Sequence, residues 1–256
     1  MRQRLKALFL KITRILAWPW GLVPFAARRT ILRGMLLLES RIGPANMSLR
    51  HLFQVQDDID RLFSERATNY GGGVNPKHRL TSYHDFFVER VPDGARVLDI
   101  GCGIGEVART IAQRRPDVSV VGVDSDPAIL AKGRRRAMPG NLRLIEGDAT
   151  RGLPDGPWDV VVLSNVLEHI EDRSKFLQSI RKQACTARML IRVPLFERHW
   201  HMPLRKELGI DFRSDPTHYI EHSLAEFDDE MAQAGLRIVE RKTLWGEIWA
   251  NCEQME

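Results

Sequence analysis

The stretch Arg96-Val-Leu-Asp-Ile-Gly-Cys-Gly-Ile-Gly-Glu-Val-Ala108 decides the fold of this chain. Its first apolar residues predict a short buried strand, and Glu106 to Arg114 predict the helix that follows. Between strand and helix, Gly101, Gly103 and Gly105 predict a turn with almost no side chains. A ligand can then lie directly against backbone N–H groups and a helix N-terminus.

The acidic residues around this turn indicate which ligand it suits. A dinucleotide fingerprint, G-x-G-x-x-G, needs glycine at position 106, where this chain has Glu106. Asp99 at the end of the strand would lie unfavourably close to a pyrophosphate, and it suits a ligand that carries a cation and an amino group. The combination D-x-G-x-G-x-G resembles motif I of the class I S-adenosylmethionine (AdoMet) methyltransferases.

Three further segments follow in the order that this resemblance requires. Asp124 ends a second strand, 23 residues after Gly101, where an acid accepts hydrogen bonds from ribose hydroxyls. The resemblance implies that Asp148, after the third strand, faces the adenine amine and that Asn165 follows the fourth. A capping role would explain any one of these polar residues, but not all of them in register. The residues assigned to the cofactor in this way are Asp99, Gly101, Cys102, Gly103, Gly105, Asp124, Ser125, Asp148, Ala149 and Asn165.

Strands and helices alternate along the same region, which predicts an α/β fold with a parallel sheet. The strands are expected near 96–100, 118–123, 142–146, 158–164, 187–193 and 236–241, and the helices near 105–114, 127–137, 171–184 and 223–234. Two strands around Gly246 have no helix between them and predict a terminal antiparallel hairpin. We therefore expect a Rossmann-like doubly wound sheet at 76–256, the AdoMet-binding methyltransferase domain. An N-terminal helical extension and linker occupies 1–75.

Charge is concentrated at the N-terminus. Residues 1–50 hold ten Lys and Arg and a single acid, Glu39, whereas the remaining 206 residues hold 28 basic and 32 acidic residues. Because the cofactor domain is mildly acidic, nucleic acid is not expected as a partner. The three cysteines are far apart in the sequence, which favours free thiols and a reducing, cytoplasmic location.

The N-terminal segment has apolar residues at helical spacing and cations on the other face. These are Leu5, Leu8, Phe9, Ile12, Ile15 and Leu16, with Arg2, Arg4, Lys6, Lys11 and Arg14 opposite. Its longest uncharged stretch, Ile15 to Ala27, is too short and too broken by proline to span a bilayer. Three interpretations compete: a peripheral contact of residues 1–40 with anionic lipid, a helix packed as a lid or dimer element, and a mitochondrial transit peptide. Clustered cations and tryptophans favour the first.

The region from Pro194 to His222 is the candidate for acceptor binding. It shows little helical or strand periodicity, yet it holds four of the eight histidines, His199, His201, His218 and His222. A loop of this length in a compact domain is usually functional. His218 and His222, together with His169 after the fourth strand, are therefore candidates for a general base. The alternative is that they are hydrogen-bonded loop histidines.

A narrower resemblance concerns a metal. Ubiquinone-pathway O-methyltransferases and small-RNA 3′-end 2′-O-methyltransferases place E-x-x-E-H after strand 4 and a further histidine before the last helix, which together bind a divalent metal. Glu168, His169 and His218 match this pattern, but Asn165 stands where the first glutamate is expected. The resemblance implies Mg²⁺ or Mn²⁺, and the departure removes one negative charge from the site.

Taken together, these features predict an AdoMet-dependent methyltransferase that acts on oxygen. The acceptor is expected to be a small molecule or lipid-linked, such as a quinone or a glycan precursor, and the enzyme to be cytoplasmic or peripheral at the membrane surface. A nicotinamide-dependent oxidoreductase is the first alternative, although Asp99 and Glu106 disfavour it. A non-catalytic AdoMet-binding scaffold that docks a partner to membranes is the second.

Overall fold

The computed structural model describes residues 12–13, 15–184 and 188–255. The chain divides into two compact units, one that ends at Ala67 and one that begins at Thr68. The boundary predicted between residues 75 and 76 falls a few residues inside the second unit. The cofactor motifs all lie in the second unit.

The described residues of the first unit are mainly helical, as the sequence predicts. Residues 15–22 are helical, and α1 (Phe25–Glu39) and α2 (Ala45–Tyr70) follow. Pro24 precedes α1 with φ −54°, a position where its missing N–H costs no helical hydrogen bond. No residue of α1 is buried. The first part of the predicted amphipathic helix, residues 1–11, and Arg14 lie outside the described residues.

The second unit is built on a seven-stranded sheet in the order β3-β2-β1-β4-β5-β7-β6. Its first five strands are parallel, and β7 pairs antiparallel with both β5 and β6. This arrangement confirms the doubly wound sheet with a terminal hairpin. The strands are β1 (Arg96–Ile100), β2 (Ser119–Asp124), β3 (Leu142–Glu146), β4 (Val160–Ser164), β5 (Arg188–Pro194), β6 (Leu236–Leu244) and β7 (Glu247–Gln254).

Helices surround this sheet: α3 (Lys77–Leu80), α4 (Tyr83–Val88), α5 (Glu106–Arg114), α6 (Pro127–Arg134), α7 (Arg173–Ala184), α8 (His201–Glu207) and α9 (Leu224–Gln233). Local sequence explains where two of them begin. Asp126 accepts hydrogen bonds from two N–H groups of α6, and Ser223 and Glu226 form a capping box at α9. The expectation of an irregular Pro194–His222 segment was wrong in part, because α8 and a 3₁₀ turn at Phe196–Arg198 lie within it.

The core lies on both faces of the sheet. Residues Val160 to Leu163 of β4 are all completely buried, as expected for a central parallel strand. One apolar cluster packs α7 and α9 on the sheet, and the other packs α4 and α5 on its opposite face. The strand order reverses between β1 and β4, so the carboxyl ends of these two strands form the topological switch point, where ligands of open α/β sheets bind.

Candidate functional site

The glycine loop after β1 adopts a backbone that other residues rarely adopt. Gly101, Gly103 and Gly105 all have positive φ, at 65°, 56° and 78°, which glycine tolerates without strain. A Cβ on Gly101 would lie 2.7 Å from Cγ2 of Val166. The loop after β1 therefore passes directly beside the segment after β4, on the two sides of the switch point.

The loop leaves space for a ligand, but three of its N–H groups are already hydrogen-bonded within the fold. The N–H of Cys102 donates to the Val123 carbonyl at 3.1 Å, and that of Gly105 donates to the Cys102 carbonyl at 2.8 Å. The Gly103 N–H donates to Oδ2 of Asp124 at 2.8 Å. The fold itself uses these three N–H groups, so the expectation that a ligand lies against backbone N–H groups stays a prediction for the rest of the loop and the start of α5. A Cβ on Gly103, however, would have no atom closer than 3.9 Å, so a ligand can approach the backbone there.

Asp99 connects β1 to the helix after the loop. Its side chain is buried, and its Oδ2 accepts a hydrogen bond from the Ala108 N–H at 3.2 Å. Burial raises the pKa of Asp99 to about 7, and the nearby negative charge of Asp124 adds to the shift. A buried carboxylate with a raised pKa gains from a cationic group nearby. The role of Asp99 toward an amino-bearing ligand stays a prediction.

Two more carboxylates lie where β2 and β3 end. Asp124 accepts hydrogen bonds from the N–H groups of Gly103 and Asp126, and its own carbonyl accepts the Gly147 N–H at 3.0 Å. Asp148 follows Gly147 and accepts bonds from the N–H and hydroxyl of Thr150, which hold the pKa of Asp148 below its usual range. Both carboxylates thus lie at one edge of the sheet. Of their neighbours, Ser125 is exposed and Ala149 is half-buried.

Asn165 follows β4 with φ +59°, a region that asparagine enters more readily than most residues. Its N–H donates to the Arg192 carbonyl at 2.8 Å, and its Nδ2 donates to Oε1 of Glu168 at 2.8 Å. Its Oδ1 is buried and has no partner among the described residues. A buried oxygen without a partner could accept a hydrogen bond from a ligand.

Glu168, His169 and His218 come together in the structure. One ligand atom of each lies within 4.8 Å of those of the other two, and the two imidazoles stack edge to face with centroids 4.6 Å apart. We call these three residues the triad. The Tyr219 N–H donates to the Glu168 carbonyl at 2.7 Å, which fixes the loop of His218 to the 3₁₀ turn at Leu167–His169.

The charges of the triad are set by burial and by neighbours. Glu168 is completely buried, and its Oε2 has no partner within the described structure. Burial raises the pKa of Glu168. Burial alone would lower the pKa of His218, but its hydrogen bond to Glu221 and the nearby carboxylates raise the pKa above the usual value. Two imidazoles and one carboxylate with an orphaned oxygen are a donor set that a divalent metal accepts.

The other histidines of the predicted acceptor region lie apart from this arrangement. His222 is completely buried, and its Nε2 lies 3.2 Å from Oε1 of Glu230, whose other oxygen accepts from Arg173. This is a core environment, so the structure gives no support to a catalytic role for His222. His199 accepts the His201 N–H, and both rings are on the surface.

The structure also reveals functional candidates that the sequence did not single out. Glu221 lies three residues after His218 and accepts a hydrogen bond from it, while Arg198 pairs with the same carboxylate. Thr217 contacts His169. The spacing of Glu221 from His218 is the only sequence signal for these contacts, and spacing alone does not specify them in an irregular loop.

Comparisons with known proteins agree with this geometry. A family model described as a methyltransferase domain matches residues 75–241. The chain is 37% identical over 101 residues to a trans-aconitate 2-methyltransferase of Streptomyces avermitilis, covering 36% of this chain and 37% of that protein. It is 35% identical over 94 residues to a ubiquinone biosynthesis O-methyltransferase of Acinetobacter baumannii, covering 34% and 38%. The matched part therefore spans little more than a third of these relatives.

A solved structure shares the fold at lower sequence identity. It is an O-methyltransferase from neocarzinostatin biosynthesis in complex with S-adenosyl-L-homocysteine and 1,4-dihydroxy-2-naphthoic acid. The TM-score is 0.57 at 18% identity, covering 80% of this chain and 61% of the other. At this identity the likeness concerns the fold alone.

Proposed function

The chain belongs to the methyltransferase domain family, and we propose that it transfers the methyl group of AdoMet to an oxygen atom of a small-molecule acceptor. The observation that carries the proposal is the carboxyl edge of the sheet. There the glycine loop, the carboxylates of Asp124 and Asp148 and the orphaned oxygen of Asn165 lie on the segments that end or follow β1, β2, β3 and β4.

Each group at this edge has a defined part in the proposal. Asp124 accepts the ribose hydroxyls, Asp148 faces the adenine amine, and Gly103 leaves the backbone open to the ligand. Asp99 supplies negative charge beneath the amino-bearing end. When bound, AdoMet supplies a methyl group on a sulfonium, which an acceptor oxygen attacks in line. The protein has to align the acceptor with that bond and exclude water.

The triad supports oxygen as the acceptor atom. A hydroxyl has to lose its proton as it attacks, and His218 or His169 can take that proton. The names of two similar proteins, a ubiquinone biosynthesis O-methyltransferase and an O-methyltransferase solved with a dihydroxynaphthoic acid, favour a hydroxylated acceptor. We therefore propose a quinone precursor or another lipid-linked or glycan-precursor hydroxyl.

A divalent metal at the triad is the second version of this chemistry. Glu168, His169 and His218 would hold Mg²⁺ or Mn²⁺, and the ion would acidify the acceptor hydroxyl. The buried, unpartnered Oε2 of Glu168 favours this version. Asn165, which stands where the metal-binding pattern has a glutamate, donates from Nδ2 to Oε1 of Glu168.

Labelled AdoMet tests the proposal. The full chain is incubated with an extract and AdoMet labelled in the methyl group, and the labelled product is identified. A product methylated on oxygen supports the proposal, and one methylated on nitrogen or carbon contradicts the acceptor assignment. Binding without turnover favours the non-catalytic scaffold, and a fluorescence titration in which NADH binds but AdoMet does not favours the oxidoreductase.

We further propose that the first unit contacts anionic membrane surfaces. The aromatic and aliphatic side chains of its described helices are largely exposed, with Phe25 70% and Leu38 72% exposed. Arg28, Arg29 and Arg33 share α1 with these residues. Apolar groups beside cations are the pattern of an interfacial helix. None of the helices in the described part of the chain is both long and apolar enough to cross a membrane.

Deletion of residues 1–45 tests this contact. The deletion removes nine of the ten cations of the first 50 residues, and each contributes about 1 kcal/mol near an anionic surface. Sedimentation with anionic vesicles should fall sharply, while AdoMet binding persists because every cofactor motif lies beyond residue 94. For the full chain, salt should weaken vesicle binding because counterions screen these charges.

A charge-reversed full-length chain provides the matched control. Arg28→Glu with Arg29→Glu keeps the apolar surface of α1 and should also reduce binding to anionic vesicles. If neither chain binds vesicles and the truncated chain aggregates, the segment is a packing or dimer element. Vesicle binding that survives the deletion would place the membrane contact elsewhere.

A further inference from the structure

We infer that Glu221, Thr217 and Asn165 are positioning residues that direct one free atom from each member of the triad toward a common point. The inference rests on the proposed function, because it concerns the site that would hold the metal or the acceptor hydroxyl. It adds Glu221 and Thr217, which neither the family pattern nor the sequence assigns, and it gives Asn165, a cofactor candidate from the sequence, a second contact. Each of the three contacts a different member of the triad.

Glu221 fixes His218. The Nδ1 of His218 lies 3.0 Å from Oε1 of Glu221, and both side chains are buried. The same carboxylate accepts the N–H and hydroxyl of Ser214 at 2.6 and 2.9 Å and Nη1 of Arg198 at 2.5 Å. Three other donors already surround Glu221, so it is an ionised acceptor, and Nδ1 of His218 therefore carries the hydrogen. The free lone pair of His218 is then on Nε2.

Thr217 fixes His169 in the same way. The Thr217 hydroxyl lies 2.6 Å from Oδ1 of Asp215, to which it donates, and 2.9 Å from Nδ1 of His169. A hydroxyl has only one hydrogen. Because that hydrogen is directed at Asp215, Thr217 accepts from His169, whose Nδ1 therefore carries a hydrogen. The free lone pair of His169 is again on Nε2.

Asn165 completes the arrangement at Glu168. Its Nδ2 donates to Oε1 of Glu168, whereas Oε2 of the same carboxylate is buried without a partner in the described structure. Each triad member thus has one polar atom that is hydrogen-bonded to a neighbour and one that remains available to a ligand. Hydrogen bonds of this kind orient metal-ligating side chains and raise the basicity of ligating histidines. They serve a general base equally well, because they fix the tautomer.

The test reads the tautomers directly, without turnover. Imidazole ¹⁵N–¹H correlation spectra of the full-length protein are recorded at one fixed pH at which both rings are neutral. Both histidines should show hydrogen on Nδ1. Glu221→Gln should disturb the tautomer of His218 and leave that of His169 unchanged, and Thr217→Val should do the reverse. Each variant is therefore the control for the other.

Metal affinity gives a second readout. Titration of Mn²⁺ into the full chain, followed by the electron paramagnetic resonance signal of the free ion, should show binding that each variant weakens by about 10–100-fold. Binding of S-adenosylhomocysteine should stay unchanged in both. If the parent protein does not bind Mn²⁺, the metal version of the proposed function fails, while the tautomers alone decide the present inference.

Conservative variants separate positioning from folding. Thr217→Ser keeps the hydroxyl and should retain the parent tautomer of His169. Glu221→Asp keeps the negative charge but shortens the side chain, so it should disturb the tautomer of His218. It replaces Glu221→Gln in the test if that variant does not fold. Unchanged tautomers of both histidines in Glu221→Asp and Thr217→Val would overturn the inference. So would a parent protein with hydrogen on Nε2 of either ring.

Discussion

His218→Ala is expected to lower turnover of labelled AdoMet by about 10²–10⁴-fold, the usual contribution of a general base, and to leave AdoMet affinity nearly unchanged. His169→Ala should behave similarly, because the two rings contact each other and belong to one cluster. Turnover is measured as labelled product per enzyme, and affinity by calorimetry with S-adenosylhomocysteine. The cofactor contacts proposed above do not involve either ring, which is why the two measurements should separate.

His199→Ala provides the control, since it removes an imidazole from the same region but from the surface, outside the triad. Its turnover should match that of the parent protein. A chelator then distinguishes the two versions of the chemistry. Loss of activity with EDTA and recovery with Mg²⁺ or Mn²⁺ supports the metal, whereas activity that ignores EDTA but requires His218 supports a plain base. If activity depends neither on the metal that EDTA removes nor on His218, the loop acts only in recognition of the acceptor.

The fold could be predicted closely because its strongest signals are local. β4 is a run of apolar residues buried on both faces. β1 is followed by three glycines, which favour a turn with a backbone that other residues rarely adopt. Both strands lie within two residues of their predicted bounds. The sequence did not predict helix α8, because His201 to Glu207 has no amphipathic repeat. Its helical conformation therefore depends on packing against the rest of the domain and not on a local sequence pattern.

The site was predictable where residues are adjacent in the chain or match a family pattern, as Glu168 and His169 do. Contacts that depend on loop conformation were not. Glu221 and Thr217 meet the triad only because the loop after α8 folds back toward β4, where the Tyr219 N–H binds the Glu168 carbonyl. His222 is the opposite case, since its place in the sequence suggested catalysis, whereas the structure buries it against Glu230 and apart from the triad.

Backbone donors in the glycine loop show a further limit of sequence reasoning. Three glycines correctly predicted a turn after β1, but a pattern of residue types does not show where each N–H points. In the structure the Gly103 N–H donates to Asp124, so the loop and the carboxylate proposed to bind the ribose are directly connected. A change at Asp124 therefore acts on the cofactor site in two ways.

Asp124→Ala is expected to weaken AdoMet binding by well over tenfold without unfolding the second unit. Hydrogen bonds that involve a charged group contribute about 1.5–3 kcal/mol each, and each 1.4 kcal/mol corresponds to a factor of ten in affinity. The loss of two ribose hydrogen bonds should therefore weaken AdoMet binding by more than tenfold. Asp124→Ala also removes the acceptor for the N–H groups of Gly103 and Asp126. The glycine loop then becomes less well fixed, which should weaken AdoMet binding further. Calorimetry and a thermal melt measure affinity and folding.

Two variants separate the contributions to this effect. Asp124→Asn keeps one acceptor oxygen for the loop while removing the charge, so it should lose less affinity than Asp124→Ala. Gly103→Val should be at least as damaging as Asp124→Ala, because a branched residue at φ +56° is strained and its side chain would enter the open space beside the backbone. Asp155→Ala, an exposed acid away from the loop, should change neither affinity nor stability. Unchanged AdoMet affinity in a folded Asp124→Ala protein would remove Asp124 from the cofactor site, and with it the placement of AdoMet at this edge of the sheet.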